Sequence, residues 1–144
     1  MSIVERFEGP ARMTALGTFL GFVEAACARA GVDHDAMLRL VLIVEELLTN
    51  TVEHGHGRDV DEPVRLALHR DGHHVVLEVE DTAPAFDPLA AAQQADAQLD
   101  ERVRARQPGG VGLSLIAHMA EEARYERRDG FNCLWLRLRC KDTA

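Results

Sequence analysis

Val44-Glu45-Glu46-Leu47-Leu48-Thr49-Asn50-Thr51-Val52-Glu53-His54-Gly55 sets a carboxylate and an amide four residues apart, at Glu46 and Asn50, in a segment otherwise patterned for burial. Met37, Leu40, Val41, Val44, Leu47, Leu48 and Thr51 recur at three- and four-residue spacing, which predicts a helix capped by Asp33 and closed by Gly55. Leu42 and Ile43 carry apolar character onto the remaining sides, so the first half of this helix is expected to be buried nearly all round. At about 100° per residue, Glu46, Asn50 and Glu53 share a narrow arc opposite the main stripe, with His54 beside them. An unpartnered polar group in an apolar setting costs about 2–7 kcal/mol, and an ion more, so Glu46 and Asn50 are expected to face something bound. A solvated polar strip on an amphipathic helix is an equal alternative on this segment alone.

Upstream, Ile3 to Phe7 reads as a short edge strand, Gly9-Pro10 as a break, and Ala11 to Ala30 as a helix stopped by Gly31. Downstream, Val64 to His69 and Val75 to Asp81 form a hairpin around Asp71-Gly72. Residues 84–108, with two early prolines, an Ala/Gln-rich middle and a charge run from Asp100 to Arg106, read as a mobile loop with a helical stretch inside. A short helix, Leu113 to Ala120, and a last hairpin, Ala123 to Arg128 with Phe131 to Arg139 around Asp129-Gly130, complete the chain. This order predicts an α+β fold, a two-layer α/β sandwich whose mixed or antiparallel sheet carries helices on one face. Strand-helix-strand alternation of the Rossmann kind is missing. At 144 residues the chain is expected to be a single domain, with its core over about residues 10–139.

The composition, 47% hydrophobic and 28% charged, is that of a folded globular chain. A net charge of -8 argues against nucleic-acid backbones or anionic lipid as the main partner. Cys27, Cys133 and Cys140 show no metal-ligand or disulfide spacing and are expected to be reduced thiols. With no leader pattern and no apolar run of membrane length, the expected location is the cytoplasm.

Two further segments bear on chemistry. Alternation along Val75-Val76-Leu77-Glu78-Val79-Glu80-Asp81 places Asp81 on the core-facing side of its strand, where it can accept a hydrogen bond from an exocyclic amine such as that of adenine. Capping of the turn at Thr82-Ala83-Pro84 is the competing role. In Pro108-Gly109-Gly110-Val111-Gly112-Leu113, three glycines ahead of a helix allow backbone N–H groups to approach a phosphate; alone, the same residues suit a plain hinge. His54-x-His56 and His73-His74 lack the spacing of a closed metal site and read as surface residues.

Taken in order, Glu46-x-x-x-Asn50, the Asp81 segment and Gly109-Gly110-x-Gly112 resemble the N box and two glycine boxes of the Bergerat-type ATP-binding fold of gyrase and histidine kinases. Glu46 to Gly55 and Ala85-Phe86-Asp87-Pro88-Leu89 look most like the stand-alone anti-sigma factor serine/threonine kinases of that superfamily. The resemblance implies a protein that binds Mg-ATP, holds a sigma factor inactive, and phosphorylates an anti-anti-sigma (STAS-type) partner. It implies Glu46 as general base, Asn50 as ligand of Mg2+, and Asp81 with Ala83 at adenine. His54, Gly109, Gly110, Val111, Gly112 and Leu113 would lie by the phosphates, the glycines in a lid of about residues 84–112. Arg102, Arg104 and Arg106 read as a solvated charge run, with phosphate or partner contact as the alternative.

One position departs from the family pattern: Asp81-Thr82-Ala83 stands where Asp-x-Gly is usual, so a methyl is expected to crowd the adenine end. Large apolar groups on both faces of the last strand, Phe131, Cys133 and Trp135 against Leu134, Leu136 and Leu138, predict a covered sheet and a homodimer. The competing functions are an ATP-gated binding protein without transfer, and an ATPase or histidine-kinase-type catalytic domain acting in trans.

Overall fold

A computed structural model of the chain describes residues 3–90, 116 and 118–143. Strand β1 (Glu5–Pro10) leads through a 3-10 turn, Met13–Ala15, into α1 (Leu16–Ala30) and α2 (His34–Asn50). Then come β2 (Pro63–Asp71), β3 (His74–Asp81), β4 (Glu122–Arg128) and β5 (Phe131–Arg139). The five strands form one sheet in the order β1-β2-β3-β5-β4, with every pairing antiparallel. This realises the expected α+β architecture and resolves the sheet as antiparallel.

Local chemistry sets most boundaries. Gly31 takes the left-handed conformation, φ 69°, that ends α1, and the Asp33 side chain accepts from Ala36 N at 3.3 Å to open α2. Asp129 and Gly130, at φ 53° and 81°, make the tight Asp-Gly turn between β4 and β5.

Three expectations fail. Gly9-Pro10 does not break β1, which pairs through Gly9 with Val64 and Pro10 with Pro63; an edge strand tolerates proline because one side of it needs no ladder bond. The second helix does not stop at Gly55: Thr51–His56 continues as a π-helical turn and Gly57, φ 76°, ends it. Nor is the first half of α2 buried all round, because Leu38 and Leu42 are 44% and 51% exposed. With the helices on one side of the sheet, the far side of α2 meets solvent.

The core lies between α1, α2 and one sheet face. Phe19, Val23, Leu40, Ile43 and Leu48 meet Leu66, Leu68, Leu77, Leu136 and Leu138, all buried. Phe19 has no exposed surface and takes the ring of Phe7 edge-on at 5.1 Å. Phe19→Ala is expected to cost about 3–5 kcal/mol, read from the urea midpoint at unchanged m-value. The Cys27 thiol, pushed up to about 12 chiefly by burial, should resist iodoacetamide at pH 8 until the protein unfolds, as mass mapping of the labelled cysteine would show.

The opposite sheet face carries charge and two aromatic rings. Arg65 lies 4.7 Å over Phe131 and Arg124 lies 4.8 Å over Trp135. The large side chains that looked uncovered in the sequence are therefore partly roofed by arginines of the same face.

Candidate functional site

The core-facing side of the sheet ends in polar groups where β3 and β5 leave the hydrophobic layer. Asp81 closes β3 and stands opposite Asn132 at the start of β5. Across from them, α2 passes into the π-helical turn at Asn50 and Thr51. Between the two lies a small hollow that opens to solvent. Leu47, Val79 and Leu134 supply its apolar wall, Asn50, Thr51, Asp81 and Asn132 its polar groups, and Phe86 and Tyr125 its aromatic edge.

Glu46 and Asn50 are half-buried and joined on the helix. Asn50 Nδ2 donates to the Glu46 carbonyl at 2.9 Å and to Glu46 Oε1 at 3.2 Å. With the amide N–H groups thus turned back, Asn50 Oδ1 accepts no hydrogen bond from the described residues. A lone amide oxygen on the rim of a hollow is a hard donor suited to Mg2+, which commonly takes one or two protein oxygens and completes its shell from phosphates and water. The donor chemistry fits that ion.

Asp81 is held tightly from its own side. Oδ1 accepts from Ala83 N at 2.9 Å and from Asn132 Nδ2 at 2.9 Å; among the described residues Oδ2 has only the hydroxyl of Thr51, at a long 3.4 Å. One carboxylate oxygen is thus spent on structure and the other is left facing the hollow as an acceptor. The turn-capping role and the ligand-facing role, alternatives in the sequence, are filled by different oxygens of one side chain.

Asn132 was legible only as a polar residue on an apolar face, ahead of Leu134, Leu136 and Leu138, and sequence reasoning gave it no part in the site. It is 7% exposed and fully engaged. Its Oδ1 accepts from Tyr125 Oη at 2.6 Å and Phe86 N at 3.2 Å, while Nδ2 donates to Asp81 and to the carbonyls of Ala83 and Pro84, at 3.1 and 3.2 Å. Truncation would orphan several buried groups at once, so Asn132→Ala is expected to lower stability by about 2–4 kcal/mol in urea denaturation and to weaken ligand binding.

Other predicted residues fall elsewhere. His54 and Glu53 are exposed and do not line the hollow. His56 is half-buried, and its Nε2 has no partner among the described residues. His74 bonds Glu121 at 3.1 Å, far from the hollow. Gly109, Gly110, Val111, Gly112 and Leu113, with Arg102, Arg104 and Arg106, lie outside the described residues.

Ala83 lines the hollow, is 2% exposed, and lacks the positive φ that demands glycine, so the substituted position costs no backbone strain.

Residues 9–138 match the family model described as a histidine kinase-like ATPase domain. The chain is 36% identical over 98 residues to the serine/threonine-protein kinase BtrW of Bordetella bronchiseptica, spanning 67% of this chain and 66% of that kinase. Two solved structures share the fold. The RsbU and RsbW domains of Rv1364c from Mycobacterium tuberculosis superpose with a TM-score of 0.67 at 22% identity, over 99% of this chain and 33% of that one. The SiaB-SiaC complex from Pseudomonas aeruginosa gives 0.64 at 18% identity, over 93% and 88%.

Proposed function

Since the chain belongs to the histidine kinase-like ATPase domain family, we propose that it is an ATP-dependent serine/threonine-protein kinase acting on a small anti-anti-sigma (STAS-type) partner, and an anti-sigma factor. The observation that carries the proposal is the hollow itself, with Asn50 on one bank, Asp81 on the other, and Glu46, which is not in the lining, hydrogen-bonded to Asn50. The kinase similarity to BtrW and the two fold matches support the same reading.

In this function Asp81 Oδ2, which already accepts the long hydrogen bond from the Thr51 hydroxyl, also accepts from the adenine amine, and Leu47, Val79 and Leu134 exclude water around the ring. Asn50 Oδ1 would hold Mg2+, which supplies charge neutralisation at the phosphates when bound. Gly109, Gly110, Val111, Gly112 and Leu113 would close over the phosphates as a lid, with His54 at its margin.

The partner's hydroxyl oxygen forms a bond to the γ-phosphorus as the bond from that phosphorus to the β,γ-bridging oxygen breaks; ADP leaves with the electron pair and Glu46 takes the hydroxyl proton. Asn50 Nδ2, at 3.2 Å from Glu46 Oε1, orients the carboxylate and keeps it an acceptor.

The test is transfer itself. Incubated with γ-labelled ATP, Mg2+ and a candidate STAS-type protein, the chain should place acid-stable label on the partner. Free labelled phosphate alone would indicate an ATPase; ATP binding without transfer would indicate a gated binder.

The homodimer belongs to the same proposal. The outer sheet face sets Arg65, Arg124 and Arg128 among Glu8, Glu78, Glu80 and Glu126 around the half-buried Trp135, a mixed pattern that a two-fold axis can make self-complementary. Light scattering should give twice the chain mass at micromolar concentration, and Trp135→Glu should give the single-chain mass.

A further inference from the structure

Gly55 sits inside the π-helical turn and faces Ala83 across the hollow's floor. A Cβ at position 55 would stand 2.8 Å from the Ala83 Cβ, closer than real Cβ atoms come. Neither side can give way by rotating a side chain, because both atoms are fixed to backbone. Residue 83 is clamped besides: its N–H donates to Asp81 Oδ1 at 2.9 Å, and its carbonyl accepts from Asn132 Nδ2 at 3.1 Å and Arg127 Nη1 at 2.7 Å.

From this contact we infer that Gly55 and Ala83 are a matched pair, one methyl shared across the interface between helix end and strand end, and that Gly55 is a positioning residue for the Asp81 carboxylate. The missing Cβ at 55 makes room for the methyl at 83. A second methyl must push segment 83 outward, carrying with it the N–H that fixes Asp81 Oδ1 and the carbonyl that fixes Asn132. The methyl at 83 is thereby no obstacle at the base site: it fills the space over Gly55 and joins the bank bearing Asn50 and Thr51 to the bank bearing Asp81. The consequence for ligand binding rests on the nucleotide reading; the steric contact does not.

The experiment compares the parent chain, Gly55→Ala, the double variant Gly55→Ala/Ala83→Gly, and Gly17→Ala as control. Gly17 lies in α1 with open space around its Cβ position, so it reports only the general effect of the substitution. Each protein is measured for Tm without ligand and for Kd of a fluorescent ATP analogue with Mg2+. Gly55→Ala should lower Tm by about 3 °C or more and weaken binding about tenfold. The double variant, with the methyl moved across the contact, should recover Tm and come back within about threefold of the parent Kd. Gly55→Ala with parental Tm and Kd, or a double variant no better than the single, would overturn the pairing. Should the parent bind no nucleotide, the positioning role falls with the nucleotide reading, while the Tm series still reports the contact independently.

Discussion

Glu46→Gln is expected to lower the rate of phosphoryl transfer to the partner by about 10²–10⁴-fold while leaving nucleotide affinity close to that of the parent. The two effects separate because glutamine is nearly isosteric and keeps an amide oxygen to accept from Asn50 Nδ2, now 3.2 Å from Glu46 Oε1, yet it cannot take up a proton at neutral pH. The helix end and the hollow are therefore preserved, and only the proton acceptor is lost. Initial rates of label transfer, set beside Kd for an ATP analogue, check this. Equal loss in both would mean that Glu46 holds the ligand rather than the proton; no loss in either would remove it from the chemistry.

Asp81→Asn should have the opposite signature, with affinity for adenine nucleotides falling about 10–150-fold and transfer partly recovering at high ATP. The reason lies in how the carboxylate is divided. Ala83 N and Asn132 Nδ2 both donate to Oδ1, so the amide oxygen of an introduced asparagine is drawn to that side and its NH2 group is turned into the hollow. An N–H donor would then face the amine donor of adenine, two donors with no acceptor between them. Discrimination against guanine, whose oxygen at the corresponding place is repelled by a carboxylate, should shrink in the same variant. Competition titrations with ATP and GTP measure both effects. Unchanged ATP affinity would show that Asp81 is a structural turn residue only.

Much of this was readable from local chemistry. Asp33 as cap, Gly31 as stop, the Asp129-Gly130 turn and the inward face of Asp81 each depend on neighbours in sequence, where propensity and alternation act directly. What escaped depends on partners far away. Asn132 acquires its role from Tyr125, Asp81 and the 83–86 segment, contacts that no periodicity encodes. The π-helical turn moves Glu53 off an arc drawn for an ideal helix, and such turns carry no strong sequence signal. Apolar composition alone points Leu42 to the interior, although an exposed leucine is common in folded proteins. Position 83 looked defective against a family pattern until its neighbour at 55 was in view, since compensation across a contact is invisible one box at a time.

The most direct test is a crystal structure of the chain with Mg2+ and a non-hydrolysable ATP analogue. The base is expected between α2 and the sheet, its exocyclic amine within hydrogen-bond distance of Asp81, and the metal on Asn50 Oδ1. Nucleotide bound on another surface, or a hollow that stays empty of it at millimolar concentration, would contradict the account.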